Sequence, residues 1–182
     1  MKKDPMAKDK KKDQDPPAEE LRRLALELIQ QTTTMTLATT DGQGAWAAPV
    51  YYVYYQAVFY FFSSPDSRHI QEAGLHQAVS AALYPPADSW SDIRGIQMSG
   101  KIRLTPYGLH SMKIIQAYLK KYPFTTEFFR PGDVLDLGAF AHRFKVRLYG
   151  FEPRLVYYLD NKIRFGFRQE VDLVGNQEAG IS

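Results

Sequence analysis

Between Ala45 and Phe62 the chain carries a single strongly polar side chain, Gln56. A run this apolar approaches the ~20 residues that a membrane-spanning helix needs. Pro49 and five tyrosines (Tyr51, Tyr52, Tyr54, Tyr55 and Tyr60) argue against such a helix. Proline removes a helix hydrogen bond, and tyrosine hydroxyls favour the membrane interface over its centre. Valine and aromatic residues bounded by Gly42/Gly44 and Ser63/Ser64 instead predict two strands, Ala45–Tyr54 and Ala57–Ser63. A tight turn near Tyr55-Gln56 joins them. The whole chain shares this bias: with 12 Tyr and 11 Phe it favours pleated, half-buried surfaces.

Around that hairpin the pattern alternates strands with a few helices. Leu21, Leu24, Ala25 and Leu28 form one apolar stripe after Pro16-Pro17, predicting a helix that ends near Gln31. Thr32–Thr39 reads as a strand. Ser64-Pro65 reads as a helix start, with Ser64 as N-cap, running to Ala73. Gln77–Tyr84 and Ile93–Leu104 read as strands, the second with Gly95 and Gly100 as bulges or close-approach points. Thr105-Pro106 opens a helix whose stripe is Leu109, Met112, Ile115 and Leu119. His142–Phe151 and Arg154–Leu159 form a hairpin around Glu152-Pro153, and Ile163–Phe167 a last short strand. Six or seven strands with hairpin-length loops do not follow βαβ alternation. They predict a mainly β fold, a closed or nearly closed antiparallel barrel with peripheral helices.

The chain has 182 residues, enough for one domain, and no cysteine. That excludes disulfides, thiolate nucleophiles and Cys-type metal sites, and fits a reducing, cytoplasmic setting. The first 17 residues read as a disordered charged tail, residues 18–170 as the domain and 171–182 as a C-terminal tail. Residues 1–20 carry six Lys against six Asp or Glu, and the start lacks the apolar core of a secretory signal. Of the 23 Lys+Arg and 20 Asp+Glu, 17 and 14 therefore remain beyond residue 20, an excess of three. Aromatic barrels can stack single-stranded nucleic acid, but that needs a basic groove, and this charge does not predict one. Neither a nucleic-acid nor a membrane partner is expected. No G-x-S-x-G, H-E-x-x-H, P-loop or G-x-G-x-x-G is present. His69, His76, His110 and His142 show no helical two-His metal spacing, and Asp133 and Asp136 beside Pro131-Gly132 read as turn formers.

The segment Phe61-Phe62-Ser63-Ser64-Pro65-Asp66-Ser67-Arg68-His69 stands apart. A strand ends in hydroxyls and runs into a helix N-terminus, where free N–H groups and the helix dipole suit an anion. Ser63, Ser64 and Ser67 offer short donors, Arg68 a planar fork for phosphate, and His69 a further donor. An N-cap beside a solvated arginine would produce the same residues.

The order T-M-T-L-A-T, D-G…A-A-P-V-Y-Y, V-F-Y-F-F-S-S-x-x-S-R-H and Trp90–Leu104 resembles the flavin-binding split barrels of the pyridoxamine 5′-phosphate oxidase-like superfamily. Within it, the I-R-G-x-Q-x-x-G strand resembles an uncharacterised bacterial branch. The resemblance covers about residues 20–170. It implies an antiparallel six-stranded split barrel that forms a homodimer and holds FMN in a groove between two barrels. On that pattern Pro49, Val50, Tyr51 and Tyr52 line the flavin ring, partly through backbone groups. Phe62 and Ser63, with Ser64, lie by the ribityl chain and phosphate, and Ser67, Arg68 and His69 match the phosphate clamp. His69 stands where the oxidases have Lys. Gln97 would present an amide to the ring, two residues beyond the oxidases' glutamine, which aligns with Gly95. Arg94, and after it Gln97 and Lys101, would stabilise negative charge on the reduced ring. The basic R-L-H-D-R-like substrate run is not recognisable in F-G-F-R-Q-E-V-D-L-V-G, so vitamin B6 oxidation is not implied. An FMN-dependent oxidoreductase using a small or nicotinamide-type reductant is the function expected, and a flavin or haem carrier the alternative.

Overall fold

The structure, a computed structural model, describes residues 15–76, 78–124 and 144–174. Helix α1 (Ala18–Gln31) follows Pro17 and buries Leu21, Ala25, Leu28 and Ile29, the face its stripe predicts. Strand β1 (Thr34–Thr40) pairs antiparallel with β2 (Ala45–Tyr51) across the Asp41-Gly42 turn, where Gly42 takes φ 88°. Strands β3 (Val53–Tyr55) and β4 (Val58–Ser63) form a second hairpin. Its turn residues Gln56 and Ala57 both have positive φ, the twist that tight hairpins prefer. Next come α2 (Arg68–His76), β5 (Val79–Leu83), a 3₁₀ turn at Trp90–Asp92 and β6 (Arg94–Leu104). Helix α3 (Leu109–Lys121), β7 (Arg147–Asp160) and β8 (Arg168–Glu170) follow.

The eight strands make one antiparallel sheet in the order β2-β1-β5-β6-β7-β4-β3, with β8 beside β7. The sequence expectation of six or seven strands is corrected in a way that explains closure. The predicted strand Ala45–Tyr54 is two strands at opposite edges of the sheet, separated only by Tyr52. A chain can cross from one edge to the other in one residue only if the sheet curls until its edges meet. Tyr52 is fully buried at that crossing. Its N–H donates to the Tyr122 hydroxyl (3.2 Å), and that hydroxyl also reaches the carbonyls of Tyr52 and of Thr33 (2.7 Å).

Two apolar cores result among the described residues. The main one lies inside the curl and gathers Met35, Leu37, Phe59, Phe61, Ile96, Phe151 and Tyr158 with the buried face of α1. The second lies outside β3–β4, where Tyr60 and Leu148 meet Ile114 and Tyr118 of α3. This contact rotates α3 from its predicted face: Ile114, Ile115 and Tyr118 are buried while Leu109 and Met112 are exposed. The helix starts later than Thr105-Pro106, at Gly108, whose N–H donates to the Ser111 hydroxyl. Likewise α2 starts at Arg68 and not at Ser64-Pro65, because Ser64 to Ser67 close a turn in which Ser67 N–H donates to Ser64 O.

Strand β7 is continuous where the sequence suggested a hairpin at Glu152-Pro153. Proline cannot donate to a ladder, and the register shifts there: Ser99 faces Leu155 but Gly100 faces Pro153, leaving Arg154 as the extra residue of a bulge. The last strand falls at Arg168–Glu170, after a turn that replaces the expected Ile163–Phe167. The Ala45–Phe62 stretch lies in β2 to β4, and no helix among the described residues is long and apolar enough to cross a membrane. His142, Asp133 and Asp136 fall outside the described residues.

Candidate functional site

Alternation along the strands decides which side chains face out of the curl. Apolar residues such as Leu37, Ala81, Met98 and Val156 are buried on the inner face. Their neighbours point out and fall into two cross-strand rows. Register pairs link Pro49, Thr36, Ala82, Gln97 and Tyr157 in one row. Ala47, Ala38, Ser80, Ser99 and Leu155 form the other. Strands lie ~4.8 Å apart, so the stretch from β1 to β7 is ~14 Å wide. Its centre, Ala38, Ser80, Ala82 and Ser99, is small and uncharged, and flat in consequence.

Two adjoining concavities sit on this face. One, of about 400 Å³, is lined by Thr36, Ala38, Ser80, Ala82, Gln97, Ser99, Leu155, Tyr157 and Arg168. The other, of about 470 Å³, shares Ala38, Ser80 and Ser99 and adds Thr40, Ala45, Gly100 and Arg154. They form one groove over a common floor, with an arginine on each part. The Arg168 guanidinium lies 4.2 Å from the centre of the Tyr157 ring, a cation–π arrangement. The groove has the volume of a small-cofactor site, and its floor lets an aromatic ring approach the sheet closely.

Only some of the residues singled out from sequence meet there. Gln97 is exposed in the middle of its row, and Pro49 ends that row on β2. Tyr51 is exposed on the same edge, with its ring edge-on to Tyr122 at 5.2 Å. Val50 and Tyr52 alternate with these and point into the main core. Phe62 faces the second core, edge-on to Tyr118. Arg94 reaches Gln31 (3.4 Å) at the far end of β6, and Lys101 lies past the bulge opposite Glu152.

The serine–arginine corner lies elsewhere. Ser63, Ser67 and His69 come together: Ser63 Oγ is 2.9 Å from His69 Nε2 and 3.0 Å from Ser67 Oγ, and Ser67 donates to Ser64 O. Ser63 and His69 are buried, and burial lowers the His69 pKa below its usual value, so the imidazole is neutral. Arg68 turns the other way. Its Nε donates to Glu72 Oε1 (2.5 Å), its Nη2 lies 3.5 Å from Asp41 Oδ2, and its guanidinium stacks over Trp46. Thr39 Oγ1 completes the set by donating to buried Glu72 (2.6 Å). That hydroxyl and then Arg68 hold the Glu72 carboxyl below its usual range. For Asp41 the Gln43 and Gly44 N–H donors come first in the same direction.

These shifts set a pH dependence. A histidine whose folded pKa is depressed charges more readily once unfolded, so the unfolded chain binds more protons as pH falls through 6.5. Stability is therefore expected to fall on acidification from pH 7 toward pH 5.5. The Asp41 and Glu72 contributions are lost only at lower pH, below their unfolded values near 3.8 and 4.5. His69→Gln should flatten the first slope in urea titrations at several pH values. An unchanged slope would mean that another group titrates there.

The sequence reading missed the floor residues because each is ordinary alone. Their signal is that the outward positions 36 and 38 of β1, 80 and 82 of β5, and 97 and 99 of β6 carry Ala, Ser, Thr and Gln where a solvated strand usually carries Lys or Glu.

No protein-family model matches the chain. A UPF0306 protein of Cronobacter sakazakii is 26% identical over 125 residues, covering 68% of this chain and 85% of that protein. A solved FAD-binding protein from Mesorhizobium loti superposes with TM-score 0.55 at 18% identity, over 74% of this chain and 90% of its own. The haem storage protein HutZ of Vibrio cholerae gives 0.56 at 16% identity, with the same two coverages. A candidate pyridoxamine 5′-phosphate oxidase from Listeria innocua gives 0.57 at 14% identity, over 76% and 98%. With its curled antiparallel sheet, this chain shares the split-barrel fold of these solved structures, and its sequence relatives include UPF0306 proteins.

Proposed function

We propose that this chain binds a flavin, FMN being the form its sequence motifs suggest, on the outer face of β1, β5, β6 and β7, and that a second copy of the chain closes the groove. The observation that carries this reading is the pair of cross-strand rows, whose small central side chains make a ring-sized floor bordered on one side by Gln97 and, next to it, the Tyr157–Arg168 stack. An exposed sheet face of this kind calls for a cover, and a second copy of the same face is the economical one. That a structural neighbour is named as FAD-binding supports the ligand class.

The residues present suit such a group at its ring. Gln97 can both donate to and accept from the polar edge of an isoalloxazine. Arg168 offers a fixed positive charge where negative charge would build on reduction, as donors do in other sites that stabilise developing anions. Leu155 and Tyr157 exclude water from one side. A bound flavin supplies hydride and electron transfer, and the protein then orients and tunes it. With a nicotinamide-type reductant, the chain would act as an oxidoreductase.

A haem carrier is the second reading, favoured by the haem-storing neighbour. Haem needs an axial ligand. His69 and His110, the histidines whose side chains are described, are bonded to Ser63 and Tyr60 and do not line the groove. The visible spectrum of freshly purified protein separates the readings. Flavin bands, or saturable quenching of added FMN fluorescence, are expected. A Soret band with no flavin binding would replace this reading with the haem one, and neither signal would refute both.

A further inference from the structure

We infer that Arg68 is a structural latch and that the Ser67-Arg68-His69 corner does not read a phosphate group. Three observations support this. The guanidinium is already held on three sides: by Glu72 of its own helix, by Asp41 from the β1–β2 turn and by the Trp46 ring from β2. Its charge is already engaged, since one guanidinium faces the two carboxylates of Glu72 and Asp41, so it would have to leave both to meet a phosphate. Finally, the corner is on the wrong side of the sheet. Thr39 and Trp46 are register partners, and strand alternation turns their side chains to the face opposite Ala38 and Ala47; the groove itself is bordered by Ala38, Thr39 and Ala45. The latch therefore holds α2, whose Ala73 and Ile70 pack with the main core, on the inner face, while the ring floor is on the outer surface.

The contacts assign the latch a task. Arg68 and Glu72 join helix α2 to the β1–β2 hairpin, and Thr39 ties the same carboxylate to β1. The ligand then recognised is a planar ring whose anionic arm gains nothing from this corner. The ligand half of this inference rests on the proposed flavin site, and the latch half does not.

The test compares riboflavin with FMN, which differ by the phosphate alone, in wild-type protein and in Arg68→Ala. The preference, Kd for riboflavin divided by Kd for FMN, is expected to change less than threefold between the two proteins. A fall of threefold or more in Arg68→Ala would show that Arg68 holds the phosphate and would overturn the inference. If wild-type protein binds neither flavin, the proposed function fails and the latch is judged by thermal unfolding of Arg68→Ala, Glu72→Gln and the double variant. Each single variant is expected to lower Tm by about 3 °C, with the double no lower than the worse single. Additive losses would overturn the latch as well.

Discussion

Ser80→Trp is expected to abolish flavin binding, raising Kd at least ~100-fold, which corresponds to about 2.7 kcal/mol, while leaving the fold intact. Ser80 lies at the centre of the second row, flanked in register by Ala38 on β1 and Ser99 on β6, and it lines both parts of the groove. An indole there would occupy the volume intended for the ring. The side chain points away from the main core, and aromatic residues suit strands, so stability should stay within about 0.5 kcal/mol of wild type. Met112→Trp on exposed α3 is the control and should leave binding unchanged. Fluorescence titration with FMN reads both variants. Equal affinity in Ser80→Trp and wild type would place the ligand elsewhere.

Gly100→Ala is expected to be the most damaging single-methyl change in the described structure, costing about 3 kcal/mol or more. A Cβ at this position would lie 2.2 Å from the Glu152 carbonyl oxygen and 2.9 Å from Pro153 Cα. Both are backbone atoms on β7, so no side chain can swing aside. The strain would fall on the bulge that lets Pro153 remain in a continuous strand, and on the β6–β7 pairing that runs along one edge of the groove. Gly44→Ala provides the contrast. A Cβ there meets nothing within 4 Å, and stability should change by about 0.5 kcal/mol or less. Urea unfolding of the two variants side by side measures the difference. Equal midpoints would mean that the bulge relaxes freely.

Both effects depend on features that were only partly legible in the sequence. Helix α1 was fully so, because Leu21, Ala25 and Leu28 share one face and no tertiary contact competes with that pattern. The stripe of α3 was not. Leu109 and Met112 fit a helical face as well as Ile114 and Tyr118 do, and only the position of Tyr60 and Leu148 decides between them. Gly100 was legible as a close-approach point. Its consequence at Pro153 was not, since a proline between two strand-like runs reads locally as a turn and becomes a bulge only once β6 supplies a partner with a shifted register. The split of the tyrosine-rich run at Tyr52 is of the same kind: local pattern gives strand on both sides, and closure of the sheet gives them different partners.

The candidate site divides similarly. Gln97, Pro49 and Tyr51 were singled out by the family resemblance, and the structure brings Gln97 and Pro49 into one row. Ser80, Ser99 and Ala38 were missed, since small residues carry no signal until cross-strand register aligns them. The serine–arginine corner illustrates the complementary gap. Residue types suited to an anion were legible, but their charge state was not, because it depends on Glu72 four residues away and on Asp41 in a different hairpin.

A crystal structure of the protein with riboflavin, the flavin free of phosphate, tests the central claim most directly. The isoalloxazine ring is predicted to lie over Ser80 and Ser99, with its polar edge at Gln97 and a second copy of the chain across it. A ring found inside the curl, against α3, or at the Arg68 corner with Ser80 and Ser99 bare would contradict the account.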